Sequence, residues 1–320
     1  MAELKNQHYV PKVLLSRFTN PDRTTTNLFN VHTNKIRTSI PYKPQCSIDY
    51  FYGKDLEIEK RLGILENRVG SILNVIEARP ETSIKPYSEE HVLLTIFSLY
   101  QYVRTLKTLE TVQNVVSLAS DEIKKQTRQD IMPKLLEAAN GKATKEQVEE
   151  FFDSMTLSLE KPHFAIFSIA DKEIEPTLRL RMKIIQNKTT KPFIISDNPL
   201  VYMHQQDTDC FYRMLLPLTP KLALVFYDNK KYKIGKKHST THELHNDKDV
   251  FHLNSLQYMN SKTNLYFNSS LNLKDLQSYS RTFINDRINK PITPTLQQGS
   301  PFLKSNRPKS GHSFSFVKKI

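Results

Sequence analysis

Between Glu57 and Arg79 the apolar residues Ile58, Leu62, Leu65, Val69, Ile72 and Ile76 recur at spacings of three and four. That is the period of one face of an α-helix, and Pro80 ends it by removing the next donor. No other feature of the chain constrains its fold as tightly. A second helix is expected from an N-cap at Ser88, with Glu89 and Glu90 in its first turn. Its stripe is Leu93, Ile96, Phe97, Tyr100 and Val103, and it is expected to run to about Ala119. A third is expected from Asp121 to Ala139, before Gly141. A fourth starts at the Thr144–Gln147 capping box and is closed by Pro162.

The texture then changes. Residues 182–187, 192–196, 200–203 and 221–227 read as short strands between turn residues. Helical spacing returns from Asn246 to about Asn260, Leu265–Phe267 reads as a strand, and Leu271 to Ile284 as a last helix. Upstream of the long helices, Pro11 opens a short helix over 11–18, and 26–32 with 35–40 form a hairpin around Asn34. Runs of helices beside runs of strands predict an α+β fold. We expect a mostly helical N-terminal half packed on a small, largely antiparallel sheet from the C-terminal half. Residues 1–289 are expected to form a single domain and 290–320 a basic, flexible tail rich in Pro, Ser and Gln.

Composition narrows the classes of function. No run of 18 apolar residues occurs, so a membrane span is not expected. The first eighteen residues do not read as a secretory signal, and the expected compartment is the cytoplasm. Cys46 and Cys210 are too few for a disulfide framework or a four-cysteine zinc site. The formal net charge of +13 favours nucleic acid or another polyanion as partner. Much of the excess is terminal: after Asp286 come seven basic residues, Arg287 to Lys319, and no acidic one.

Several polar residues stand where a packed core would not put them. On the second helix Arg104 falls about 40° from Tyr100 at 100° per residue, inside the apolar arc. A charge there must be paired or must line a cleft, so Arg104 is either a structural arginine or an anion-binding one. Glu66, on the flank of the first helix's stripe, is its candidate partner. Ser196-Asp197-Asn198-Pro199 ends the apolar strand Phe193–Ile195; Asp197 either closes a turn on its own backbone or presents a functional acid. Asn254 and Gln257, neighbours at i, i+3, either bridge backbone groups or bind a ligand. His238, His242, His245 and His252 are the densest histidine group, but their surroundings read as a loop rather than a zinc motif. A phosphate-binding Gly-rich loop, a Gly-x-Ser-x-Gly elbow and a Cys-x-x-Cys pair are all missing, so no nucleotide-cofactor motif is present.

These residues coincide with motifs of a known family. His8-Tyr9-Val10-Pro11 with Leu15 and Phe18, Phe51-Tyr52 before Glu66, Gln101 with Arg104, Phe193 to Pro199, Pro217 to Pro220, and Asn254 with Gln257 follow one another in its order. Over residues 6–270 the chain thus resembles the uncharacterised bacterial family called domain of unknown function 4238. The resemblance implies no established activity. It implies a prokaryotic, often phage-borne group, with host–phage conflict as its setting. The leading expectation is an enzyme acting on a phosphate-containing substrate, a metal-assisted hydrolase or nuclease. His8, Glu66, Arg104, Asp197 and Asn198 would be its catalytic residues, with Gln101, Asn254 and Gln257 binding substrate. In this reading Arg104 holds an anionic group, Asp197 or Glu66 acts as base or holds Mg²⁺ or Mn²⁺, and His8 transfers a proton. The alternative is a non-catalytic module that binds nucleic acid or protein, in which the polar motifs are structural.

Overall fold

The computed structural model describes residues 5–82, 84–202, 212–285, 287 and 313–320. Cys210, residue 203 of one expected strand and the expected tail up to residue 312 lie outside them. The described residues form two compact units. One comprises residues 5–108, 163–285, 287 and 313–320; the other comprises 109–162. The single domain expected over 1–289 is thus interrupted by a helical insertion.

The first unit opens with β1 (Asn6–His8), α1 (Lys12–Leu15) and a 3-10 turn over Ser16–Phe18, which bury Leu14, Leu15 and Phe18. β2 (Thr25–Asn30) and β3 (Ile36–Pro41) make the expected hairpin, with Asn34 at φ 54°. β4 (Ser47–Asp49) pairs with β1. α2 (Glu57–Ala78) buries Ile58, Leu62, Val69 and Ile76 of the expected stripe together with Leu73, while Leu65 and Ile72 are only partly buried. A Cβ at its Gly70 would meet a Val13 methyl at 3.1 Å, so glycine sets how closely the first helix approaches. α3 (Glu89–Val103) starts at Ser88, whose Oγ accepts from the His91 amide at 3.4 Å.

The helix expected from Ser88 to Ala119 breaks at Arg104 and Thr105. Its continuation and the expected third helix are one element, α4 (Leu106–Ala139), which carries Pro133 in its interior. From Leu109 this helix belongs to the second unit, together with α5 (Lys145–Ser154). The Thr144–Gln147 capping box is present in full. Arg128 bonds Asp153 at 2.6 Å and lies over the Phe152 ring, holding the last helix to the long one. Pro162 does not close that helix; it opens α6 (Pro162–Lys172), where its missing N–H is harmless.

The first unit resumes at His163, within α6, and continues with α7 (Ile174–Leu178), β5 (Arg181–Asn187), β6 (Ile195–Ser196) and β7 (Val201–Tyr202). β8 (Tyr212–Thr219), β9 (Leu222–Tyr227), β10 (Tyr232–Ile234) and β11 (Thr241–Leu244) follow. The chain then forms α8 (Asp247–Asn260), β12 (Asn264–Phe267), α9 (Leu273–Phe283) and β13 (Val317–Lys319). A five-stranded sheet has the order β11-β5-β9-β8-β7, antiparallel except for the β11–β5 pair. A four-stranded sheet has the order β3-β2-β12-β6. The fold is therefore α+β, but the strands are spread along the chain. The second sheet joins the N-terminal hairpin to two strands from beyond residue 190, so the expected division into a helical half and a sheet half does not hold. The strand over Tyr212–Thr219 is not expected from the sequence, because Pro217 argues against a ladder. It is tolerated where the register with β9 shifts, between Pro217 and Thr219.

The main core lies between the five-stranded sheet and the last two helices, around Ile185, Val225, Leu253, Leu256 and Tyr279. Phe314 and Phe316 join it, and Val317–Lys319 pairs with Tyr232–Ile234. The end of the expected tail is thus a packed strand. Among the described residues no helix is long and apolar enough to cross a membrane.

Candidate functional site

At the end of α3 the guanidinium of Arg104 is almost wholly buried. Its Nη1 donates to Glu66 Oε1 at 2.7 Å, its Nε to the Tyr52 hydroxyl at 3.0 Å and its Nη2 to the His8 carbonyl at 2.6 Å. The Tyr52 hydroxyl donates to the same carbonyl at 2.9 Å. Burial works against the charge of Arg104, but Tyr52 and Glu66 outweigh it and hold its pKa above the ordinary arginine value. The expected pairing of Arg104 with Glu66 is therefore present. His8 joins the group through its backbone. Its ring Nε2 lies 2.7 Å from the Lys43 carbonyl, which can only accept, so Nε2 carries the proton. Burial lowers its pKa and favours the neutral ring. Gln101 holds the neighbouring chain by donating to the Tyr9 carbonyl at 3.1 Å, and its Oε1 is buried without a partner.

Two residues of this group escape sequence reasoning. Glu59 lies seven residues before Glu66, two turns down the same face of α2. Its Oε2 is buried and unpartnered. Burial pushes its pKa up to about 7, with Glu66 adding to the rise and Arg104 and Lys12 opposing it. The seven-residue spacing is the available signal, easily passed over because an isolated glutamate beside an apolar stripe normally reaches water. His163 packs at 4.8 Å from Phe51 and 5.0 Å from Tyr52, its Nδ1 unpartnered and its pKa pushed down to about 4 by burial. Nothing in its sequence surroundings marks it.

Asp197, Asn198, Asn254 and Gln257 form a second group with a different task. Both carboxylate oxygens of Asp197 accept backbone amides: Lys262 at 2.7 Å, Thr263 at 2.7 Å and Asn264 at 2.9 Å. The residue fixes the turn into β12, not a turn on its own backbone. Burial raises its pKa, opposed by those amides and by Lys107. Asn254 bonds the Ile194 amide and the Pro192 carbonyl, and Gln257 bonds the Ser196 amide and hydroxyl and the Pro199 carbonyl. Asn260, which the sequence reading also passes over, continues the spacing of three and donates to the carbonyls of Asn198 and Leu200. One face of α8 thus clamps residues 192–200 with amide side chains, as a neighbouring strand would. Of the two tasks open to these amides, bridging backbone is the one observed.

The two groups meet at the break between α3 and α4. Arg104 turns into the first, and Thr105 donates to Asn198 Oδ1 of the second at 2.8 Å. The single cleft expected to collect His8, Glu66, Arg104, Asp197, Asn198 and Asn254 is therefore divided between an ion-paired group and a backbone clamp. The histidines of the later loop disperse: His245 contacts Glu243 at 3.3 Å, His242 stacks on Phe316, and His252 lies edge-on to Phe314. Among the described residues no three His, Cys, Asp or Glu side chains are grouped to hold a metal ion. The thiol of Cys46 is buried with its pKa raised, an unreactive state.

An α+β chain with a buried arginine–carboxylate group and an amide-clamped strand end defines the class of protein. The family follows from its sequence: the model for the protein of unknown function DUF4238 matches residues 6–270, and the chain belongs to that family. Comparison with curated proteins and with solved structures finds no match in either.

Two outcomes are expected. Gln257→Ala leaves buried groups of Ser196 and Pro199 unpaired and lowers unfolding free energy by on the order of 3 kcal/mol in urea titrations; a loss below about 1 kcal/mol would contradict the clamp. Glu59, whose pKa rises from 4.5 to about 7 on folding, binds its proton more tightly in the native state. Its stabilising contribution is complete below pH 4.5 and is lost as pH rises to about 7. Glu59→Gln is expected to flatten the stability profile over that window, read from melting temperatures across pH.

Proposed function

We propose that this chain is an enzyme acting on a phosphate-containing substrate, with Glu59 as general base beside the Arg104–Glu66 pair. The observation that carries the proposal is Glu59 itself: a carboxyl poised near neutrality, with an oxygen buried and unpartnered. Unsatisfied buried oxygens are rare, and carboxyls tuned toward 7 concentrate where protons are transferred. Arg104, locked by three bonds, positions Glu66 rather than meeting substrate. His8 has the neutral ring a proton relay needs, and Lys12, which acts on both Glu59 and His8, supplies positive charge close to them. The net charge of +13 favours an anionic substrate. Asp197 and Asn198 carry no step, since their polar atoms hold the scaffold.

Nucleotides, RNA and single- and double-stranded DNA, each with and without Mg²⁺ or Mn²⁺, form the substrate panel. Turnover is expected to fall about 10²- to 10⁴-fold in Glu59→Gln, with kcat/KM rising through pH 7 in the unmodified protein. Undiminished turnover in that variant would refute the assignment.

A second reading, a non-catalytic nucleic-acid- or protein-binding module, is favoured by the clamp, which makes four of the polar motif residues structural. The basic residues beyond Asp286 would then bind phosphates. Replacing Lys304, Arg307 and Lys309 with Gln is expected to flatten the salt dependence of nucleic-acid binding, by about one log unit per log salt for each phosphate no longer neutralised. An unchanged slope would exclude those residues.

A further inference from the structure

The Pro217–Pro220 motif, at the end of β8 and the turn after it, takes part in neither the ion-paired group nor the clamp. It borders an open cavity of about 720 Å³ in the first unit, within the roughly 300–1,000 Å³ typical of small-molecule sites. Several elements contribute to its wall. Arg17 comes from the 3-10 turn, Glu77 from the end of α2, Gln186 from β5, Lys188 from the segment after it, Thr219 from the end of β8 and Lys221 from the turn before β9. Three cations thus face one carboxylate, an excess that matches the dianion of a phosphate monoester.

The cations are held in place. Arg17 is anchored through its terminal nitrogens to the carbonyls of Val13 and Gly70 and to Asn74. Its Nε is buried and makes no hydrogen bond, with Glu77 standing 3.5 Å away. Lys221 Nζ donates one of its three protons to the Thr189 carbonyl at 2.6 Å, and Lys188 lies 3.4 Å from Glu243 outside the cavity. The decisive residue is Gln186. It is 9% exposed, it lines the cavity, and its carboxamide makes no hydrogen bond among the described residues. A carboxamide that opens on a basic cavity and has no protein partner there is available to a ligand.

We propose that this cavity binds a small phosphate monoester of nucleotide size, with Arg17, Lys188 and Lys221 neutralising the phosphate and Gln186 bonding a polar group of the remainder. The site shares no residue with the Glu59 group and does not rest on the proposal made for it.

Calorimetric titration of the full chain with adenosine 5′-monophosphate, glucose 6-phosphate, inorganic phosphate and adenosine tests this. Saturable binding of at least one monoester is expected, with adenosine weaker by about tenfold or more. Lys188→Ala and Gln186→Ala are each expected to weaken that monoester by about tenfold, while Glu59→Gln leaves it unchanged. Lys188 is surface-exposed, so its variant keeps the test open should Gln186→Ala unfold. The two monoesters distinguish a nucleotide from a sugar phosphate as the ligand. Absence of binding by both, equal binding of adenosine, or full affinity in Lys188→Ala would overturn the proposal.

Discussion

A guanidinium cannot be taken out of water alone. That of Arg104 is accommodated because three segments distant in sequence deliver acceptors to it: a carboxylate from α2, a hydroxyl from Tyr52 and a carbonyl from β1. Breaking one partner of such a buried pair leaves an uncompensated charge, so the three segments are tied to one geometry. That geometry in turn fixes where α3 ends. The helix stops at the residue whose side chain must reach inward, and the next residue, Thr105, reaches the opposite way to Asn198. The break therefore joins the N-terminal helices to the strand end at 193–199.

Beside the ion-paired group stands Glu59, whose unusual state comes first from burial: little water reaches it, and that favours the protonated form. Arg104 opposes the rise, Glu66 on the same helix face adds to it, and Lys12 opposes it again, without cancelling the effect of burial. The result is a titration near neutrality at the one buried, unpartnered carboxylate oxygen among the described residues. The clamp contrasts with it, since every amide there finds backbone partners and none is left over for chemistry.

Much of the fold is legible in the sequence because periodicity records burial directly. The α2 stripe, the hairpin around Asn34, the Thr144 capping box and the Asn246–Asn260 helix appear where their patterns place them. The break at Arg104 is not legible, since the apolar stripe continues across it and only a tertiary contact stops the helix. Nor is the strand bearing Pro217, whose register shift depends on its neighbour β9. For the site, the residue types announce their burial but not their task. Asp197 looks like a functional acid because strand ends present such acids, yet its partners, the amides of 262–264, lie more than sixty residues away. Glu59 draws no notice because the burial of its carboxylate depends on tertiary packing, not on its own sequence neighbours.

The amide face of α8 has a consequence for how this molecule behaves toward its own copies. β6 shares only two residue pairs with β12, so the chain around it would ordinarily leave donors and acceptors open to a strand from elsewhere. Asn254, Gln257 and Asn260 occupy many of those positions from within. A helix thereby does what sheets usually achieve with lysines, prolines or bulges, and it denies an incoming β-strand a template at a place where the sheet itself is too short to close.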